Sequence, residues 1–290
     1  MTTTDTPTLR LALPKGRMQD GVLALLAGAG VQILQGHRDY RPAMSLPGFE
    51  VKMLKPQNIV EMLHAGSRDL GFAGADWVAE SGADLAMLID THLDPVQLVA
   101  AAPENILEDG VLPQRPLVVA SEYSRLTRSW IDARGCGDTF VHTHGATEVF
   151  PPEDADCIID NTATGATLKA NGLVIIDELM TSSTRLYANP GVLENTKEKD
   201  HIDGLVLLLQ SVIEARTRVL LEVNVSEKDL EAVLESLPCM REPTIAPLRG
   251  SGGYAVRVAV PRDDLPRLVL DVKARGGTDL IVTQPSQIVP

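Results

Sequence analysis

The stretch Cys157-Ile158-Ile159-Asp160-Asn161-Thr162-Ala163-Thr164-Gly165-Ala166-Thr167-Leu168 limits the fold more than any other part of the chain. Its apolar start, Cys157 to Ile159, reads as a buried strand, with Asp160 at the strand's end. A loop of small and hydroxyl-bearing residues follows. Leu168-Lys169-Ala170-Asn171-Gly172 then reads as a short helix stopped by glycine. Such a corner can cradle a phosphate. Gly165 and Ala166 let the backbone come close, Thr162, Thr164 and Thr167 offer hydroxyls, and N–H groups at the helix start lack intrahelical partners. Asp160 there suits a ribose hydroxyl or a metal. The same residues also suit an ordinary strand–turn–helix corner capped by its threonines, and the rest of the chain has to decide between the two.

Upstream, Leu9 to Leu13 reads as a strand, Pro14-Lys15-Gly16-Arg17 as a turn and Asp20 to Ala29 as a helix. Lys15 and Arg17 thus stand at the carboxyl end of a strand, near a helix start, where open α/β sheets bind ligands. In Arg38-Asp39-Tyr40-Arg41-Pro42 two arginines flank an aromatic ring. That suits a nucleotide, with Tyr40 on a base and guanidiniums on phosphates, and equally a surface loop. Glu50 to Pro56 is a strand with a basic end at Lys55. Gln57 to His64 is an amphipathic helix with Ile59, Val60, Met62 and Leu63 facing inward. Asp69 to Trp77 is a strand with a glycine turn. Strands and helices alternating at this length predict a mainly parallel sheet.

Val96 to Ala101 reads as the strand on which the chain crosses into a second lobe. That lobe holds a strand at Leu117 to Ala120, a helix at Ser124 to Arg134, a short strand at Phe140-Val141 and the cradle. Two strands, Val174 to Ile176 and Thr184 to Ala188, lead back. The expected core has one lobe made of residues 1–96 and 184–216, another made of 97–183, and a ligand cleft between them. A long helix spans Lys197 to Arg216. Residues 217–290 then read as strand (Val219 to Val225), helix (Glu227 to Leu237), strand (Ala255 to Val260), helix (Leu265 to Arg275) and strand (Asp279 to Thr283). A further short strand fits near Thr244 to Pro247, which completes a ferredoxin-like module.

The net charge of −13 argues against a nucleic-acid partner and requires a local basic site for any polyanionic substrate. Cys136, Cys157 and Cys239 are scattered and read as reduced thiols. His92, His142, His144 and His201 show no metal or nucleophile spacing. Met1 to Thr8 has no apolar signal core and no apolar run reaches membrane length, so a soluble cytoplasmic protein without a membrane partner is expected.

Several segments, in their order and spacing, carry a family resemblance: Leu11 to Arg17, Arg38 to Pro42, Asp69 to Trp77, Asp160 to Leu173 and Glu242-Pro243-Thr244-Ile245-Ala246-Pro247-Leu248. The chain resembles the ATP phosphoribosyltransferases of histidine biosynthesis in their long form. The resemblance implies an α/β fold with a two-lobed, periplasmic-binding-protein-like catalytic core and a C-terminal ferredoxin-like (ACT-like) α+β regulatory domain. It implies transfer of the phosphoribosyl group of phosphoribosyl pyrophosphate (PRPP) to N1 of ATP, with Mg2+ and release of pyrophosphate. By the same resemblance Thr162, Ala163, Thr164, Gly165, Ala166 and Thr167 hold the PRPP phosphate and Asp160 its ribose. Lys15, Arg17, Arg38 and Lys55 serve the anionic groups as catalytic residues, and Tyr40, Asp76 and Glu148 contact ATP. Glu242, Pro243 and Thr244 lie near a site for histidine as inhibitor, and the assembly is a homo-oligomer, a hexamer in equilibrium with dimers. Asn161 departs from the family, which has an apolar residue there. Lys55 stands where arginine is common, and the segment Glu148 to Asp154 is one residue shorter. A two-lobed solute-binding protein, a phosphoribosyltransferase of another pathway and a non-catalytic regulatory subunit are the alternatives.

Overall fold

The structure, a computed structural model, describes residues 8–34, 40–238, 242–250 and 252–289. The chain forms two compact units, Met1–Ala24 with Gln32–Ile202, and Leu25–Val31 with Asp203–Pro290.

The first unit is built on β1 (Leu9–Pro14), α1 (Gln19–Gly28, which continues into the second unit), β2 (Ile33–Leu34), β3 (Ala43–Met44), β4 (Phe49–Leu54), α2 (Pro56–His64), β5 (Leu70–Gly74) and α3 (Ala75–Ser81). It continues with β6 (Ala86–Pro103), β7 (Val118–Ser121), α4 (Ser124–Arg134), β8 (Thr139–His142), β9 (Cys157–Thr162), α5 (Ala166–Ala170) and β10 (Leu173–Ala188). Eight of these strands make one sheet in the order β4-β1-β5-β10-β6-β9-β7-β8. β4, β1 and β5 are parallel to one another, as are β9, β7 and β8. Between these groups β10 and β6 run antiparallel to each other and to their outer neighbours. The two lobes are therefore the two parallel ends of one sheet. β5 and all of β1 but Arg10, which pairs with Asp69, are apolar because helices cover both faces of a parallel sheet; Leu11, Ala12, Leu13, Leu70 and Phe72 are fully buried.

The lobe crossings differ from the expected pattern. The structure has single strands of 18 and 16 residues where the sequence predicts one short strand (Val96 to Ala101) and two separate ones (Val174 to Ile176 and Thr184 to Ala188). Polar residues on the solvent side, such as Asp177, Glu178 and Thr181, and breaks in register between Ser182 and Arg185 erase the alternation by which a strand is recognised. α2 buries Ile59, Val60 and Leu63 as expected, while Met62 is half-buried and its sulfur accepts a hydrogen bond from Ser67 Oγ.

In the second unit, α6 (Thr196–Thr217), which begins in the first, leads into β11 (Arg218–Ser226), α7 (Leu230–Leu234), β12 (Thr244–Pro247), β13 (Gly253–Pro261), α8 (Leu265–Ala274) and β14 (Thr278–Thr283). The sheet order is β12-β13-β11-β14 with every pair antiparallel, the ferredoxin-like arrangement. Val219, Leu221, Val223 and Val225 alternate inward from β11 and pack with Val233, Leu268 and Val272 of the helices. The helix expected over Glu227 to Leu237 is shorter. A tight turn over Glu227–Asp229, where Ser226 Oγ donates to Asp229 Oδ2, precedes a five-residue helix, and Pro238 disfavours helical backbone at Leu237.

α2 lies directly on β5 because Gly71 has no side chain. A Cβ there would stand 2.5 Å from Ile59 Cγ2 and 3.3 Å from Leu63 Cδ1. Gly71→Ala is expected to cost about 1–3 kcal/mol by overpacking. A lowered urea midpoint at unchanged slope checks it, and an unchanged midpoint contradicts this packing.

Candidate active site

Strand register creates the site. Gly74, at the carboxyl end of β5, pairs with Thr184 of β10. Thr162, at the carboxyl end of β9, pairs with Gln97 of β6, which itself pairs with Thr181 of β10. The carboxyl ends of the two oppositely directed parallel groups thus meet within three residues along β10, roughly 10 Å at the rise of a strand. Open α/β sheets bind ligands outside such carboxyl ends.

On one side of this meeting point lies the cradle. β9 continues through Asp160 and Asn161 to Thr162, and α5 starts at Ala166, earlier than the sequence suggests. Gly165 caps α5 with φ +72°. The Gly165 N–H donates to Thr162 Oγ1 at 2.9 Å, and the Ala166 N–H donates to Thr164 Oγ1 at 3.4 Å. Two of the threonines therefore hold the loop's shape, while Ala163, Thr164, Ala166 and Thr167 remain exposed. A cavity of about 290 Å³ opens on this loop, with Asp160, Glu148 and Arg17 in its wall. α5 has only five residues, so any hold on an anion comes from local N–H groups and hydroxyls more than from a macrodipole.

Burial pushes the Asp160 carboxyl up to about 6. The Asn161 N–H, 2.7 Å from Asp160 Oδ1, works against that rise, while the charges of Glu148 and Glu122 add to it. Among the described residues no three His, Cys, Asp or Glu side chains gather into a metal cage. Asp160 and Glu148 instead provide hard oxygen donors of the kind that hold a divalent ion shared with a substrate's phosphates.

Other residues singled out from the sequence fall into separate groups. Lys15, Lys55 and Asp76 follow β1, β4 and β5, adjacent parallel strands. The Lys15 N–H donates to the Leu54 carbonyl, and Lys15 Nζ sits 3.2 Å from the centroid of the Tyr40 ring, which is 59% exposed. Lys55 is exposed at the start of α2. Arg38 lies outside the described residues. Neither Lys15, Tyr40 nor Lys55 lines the cradle cavity, whereas Arg17 lines both it and a smaller cavity shared with Asp76, Trp77, Asn161 and Ser182. In the second unit Thr244 opens the exposed strand β12 at the sheet edge; Glu242 is exposed and Pro243 half-buried.

Asp76 is 5% exposed and occupied on both oxygens. Ser182 Oγ donates to Oδ1 at 2.8 Å and Tyr123 Oη donates to Oδ2 at 2.7 Å. Tyr123 in turn accepts from Asn161 Nδ2 at 2.8 Å and stacks on Trp77 with centroids 4.7 Å apart. Sequence reading missed Tyr123. Its one available signal is position, between a parallel strand's carboxyl end and a helix.

Fold and site define an α/β protein with a two-lobed core, a phosphate-cradle-like loop at the meeting of strand ends, and an appended ferredoxin-like unit. The profile for ATP phosphoribosyltransferase matches residues 55–211, and the profile for the HisG C-terminal domain matches residues 215–286. The ATP phosphoribosyltransferase of Chlorobaculum parvum is 33% identical over 273 residues, covering 92% of this chain and 93% of that protein. That of Pelotomaculum thermopropionicum is 32% identical over 287 residues, covering 97% and 99%. The ATP phosphoribosyl transferase (HisG:HisZ) complex from Thermotoga maritima superposes with a TM-score of 0.62 at 25% identity, over 70% of this chain and 99% of that one. The chain belongs to the ATP phosphoribosyltransferase family, transferases of the first step of histidine biosynthesis, a chemistry that typically needs a divalent metal. Among the described residues no helix is long and apolar enough to cross a membrane.

Because the folded-state carboxyl of Asp160 titrates near 6 and not at its ordinary 3.8, the folded chain binds that proton more tightly than the unfolded chain. Ionising it therefore costs stability, a cost that grows from about pH 4 and is complete above about pH 6. Asp160→Asn is expected to stabilise the ligand-free protein at pH 8 by about 1 kcal/mol, roughly 2–4 °C, and to leave it unchanged at pH 3.5. Melting curves at the two pH values check this. Equal midpoints at pH 8 contradict the buried-carboxylate assignment.

Proposed function

We propose that this chain joins C1 of PRPP to N1 of ATP in the cleft between its two lobes, with Mg2+, and that histidine inhibits it through the C-terminal unit. The observation that carries this reading is the convergence of the cradle loop, Asp160, Glu148 and Arg17 on one cavity at the meeting of two sets of strand ends.

In this reading the residues from Thr162 to Thr167 take the 5′-phosphate of PRPP through loop N–H groups and the exposed hydroxyls of Thr164 and Thr167. Ionised Asp160 accepts hydrogen bonds from the ribose hydroxyls. Departure of pyrophosphate leaves positive charge on the sugar and negative charge on the leaving group. Arg17, with Lys15, Lys55 and Arg38, lowers the barrier by meeting that negative charge, and positioning of N1 against C1 supplies the rest. Mg2+, held by Asp160 or Glu148 together with substrate oxygens, neutralises part of the pyrophosphate charge when bound. Glu148 and Tyr40 contact ATP, the Tyr40 ring offering the adenine a stacking face while its other face carries Lys15. Asp76 reaches ATP only through the smaller cavity it shares with Arg17.

Histidine would act near Glu242, Pro243 and Thr244, at the exposed edge strand β12. An open edge of this kind, with Ile245 41% exposed, supports assembly of the chain with copies of itself, as hexamers exchanging with dimers. The chain carries the HisG C-terminal domain at residues 215–286, which supports regulation built into the chain of a cytoplasmic enzyme.

Mixing ATP, PRPP, Mg2+ and protein and following the product's ultraviolet absorbance tests the reaction. Asp160→Ala and Thr167→Ala are each expected to lower kcat/KM for PRPP by roughly 10- to 1,000-fold. Wild-type kinetics in both would remove the cradle from the mechanism. Histidine is expected to inhibit and to raise the melting midpoint; neither effect at millimolar histidine ends the regulatory proposal.

A further inference from the structure

Asp76 and three groups to which the chemistry above gives no role form one hydrogen-bonded chain: Asn161 Nδ2 to Tyr123 Oη, Tyr123 Oη to Asp76 Oδ2, and Ser182 Oγ to Asp76 Oδ1. The Asp76 N–H also donates to Ser182 Oγ at 3.1 Å. Asn161 comes from β9, Tyr123 from the end of β7, Asp76 from the start of α3 and Ser182 from β10. The chain therefore ties the cradle strand of one lobe to the strand ends of the other. Two further contacts fasten the same seam. Trp77 stacks on the Tyr123 ring, and Glu80 of α3 accepts from the Arg125 and Leu126 N–H groups at the start of α4, at 2.9 and 3.0 Å.

Strand geometry turns this seam into a positioning device. Successive residues of β9 point to opposite faces. With Asn161 drawn to Tyr123, Asp160 and Thr162 on either side of it are turned the other way. In this structure both stand in the cradle wall, which Asn161 also borders, and Thr162 Oγ1 accepts from the Gly165 N–H. Burial and the Asp76 charge raise the Tyr123 pKa, so the phenol keeps the proton that it donates to Asp76. Asn161 supplies the N–H that the Tyr123 oxygen accepts; an apolar side chain at 161 would leave that oxygen one partner short.

We propose that Tyr123 is a positioning residue for phosphoribosyl transfer: bonded to Asn161 and Asp76, its hydroxyl sets the direction in which Asp160 meets the donor sugar and the distance of the cradle from the lobe that carries Arg17. The inference rests on the reading of the cradle as the PRPP site.

The test begins with wild-type turnover of ATP and PRPP, whose absence would defeat the cradle reading and this inference with it, whereas the variants below, in an active protein, test this inference alone. Tyr123→Phe keeps the ring stacked on Trp77 and deletes both hydrogen bonds. It is expected to lower kcat roughly tenfold, with KM for PRPP changed less than about threefold, because misorientation of bound groups acts on the chemical step. Asn161→Leu, which breaks only the cradle-side bond, is expected to lower kcat in the same way and serves alone should the phenylalanine variant not fold. Asn161→Leu with Tyr123→Phe should lose no more than Tyr123→Phe alone, as groups acting through one bond do. In an Asp160→Asn background, Tyr123→Phe should add less than twofold. A purely structural role predicts lowered melting midpoints with kcat within twofold of wild type. That result overturns the proposal, as do losses in kcat that multiply in either double variant.

Discussion

The pairing of β6 with β10 is the constraint on which the rest of the first unit depends. Each strand closes one parallel group on its outer side and holds its partner on the inner side. Because β6 and β10 are antiparallel, the groups they carry must run in opposite directions. Their carboxyl ends, which would otherwise lie on the same side of a singly directed sheet, face one another near the middle of the pair. The small side chains Ala100, Ala101 and Ala102, all fully buried, let helices and neighbouring strands close over the ladder without bulk. Toward the meeting point the ladder is irregular and polar: Ser182, Ser183 and Thr184 are buried, and the backbone φ is +56° at His92 and +48° at Asp94. Regular pairing gives way where the cavities lie, as is common next to active sites.

Electrostatics at that point oppose one another on two length scales. The whole chain carries −13 and repels anions, and the cradle wall adds Asp160 and Glu148, close enough to raise the Asp160 pKa. Attraction has to come from within a few ångströms, from loop N–H groups and Arg17, where Coulomb energy is not yet screened. Burial and the neighbouring charges of Glu148 and Glu122 together make an ionised Asp160 costly in the fold.

How much of this was legible in the sequence follows from how local each signal is. β1, α4 and β12 can be read almost to the residue, β1 from its apolar run closed by Pro14, β12 from its flanking prolines, and α4 from the glycine that stops it at 135. The ferredoxin-like unit is legible for the same reason. The long crossing strands are not, since their polar stretches face solvent and their bulges reset the alternation. The cradle could be named from Asp160 to Thr167 because its parts are contiguous, whereas the Tyr123 to Asp76 bond joins residues 47 positions apart. Lys15 was legible as a cation at a strand end; its seat over Tyr40 was not, because nothing local relates the two.

The backbone at Gly74 shows how closely strand and network are matched. Asp76 folds back over the end of β5 to take the Ser182 hydroxyl, so its Oδ1 comes within 2.2 Å of where a Gly74 Cβ would stand. A side chain at 74 would push the Asp76 carboxylate off the Ser182 hydroxyl, although the φ of −71° there would suit any residue. The requirement comes from the carboxylate's return path and not from the turn. It has the same origin as the choice of Ser182, whose hydroxyl donates to Asp76 Oδ1 while its oxygen accepts the Asp76 N–H. A buried carboxylate is tolerable only when nearly all of its acceptor capacity is used. Glycine at 74, serine at 182 and tyrosine at 123 are three answers to that one demand, drawn from the end of β5, from within β10 and from just past β7, which only the β6–β10 ladder brings together.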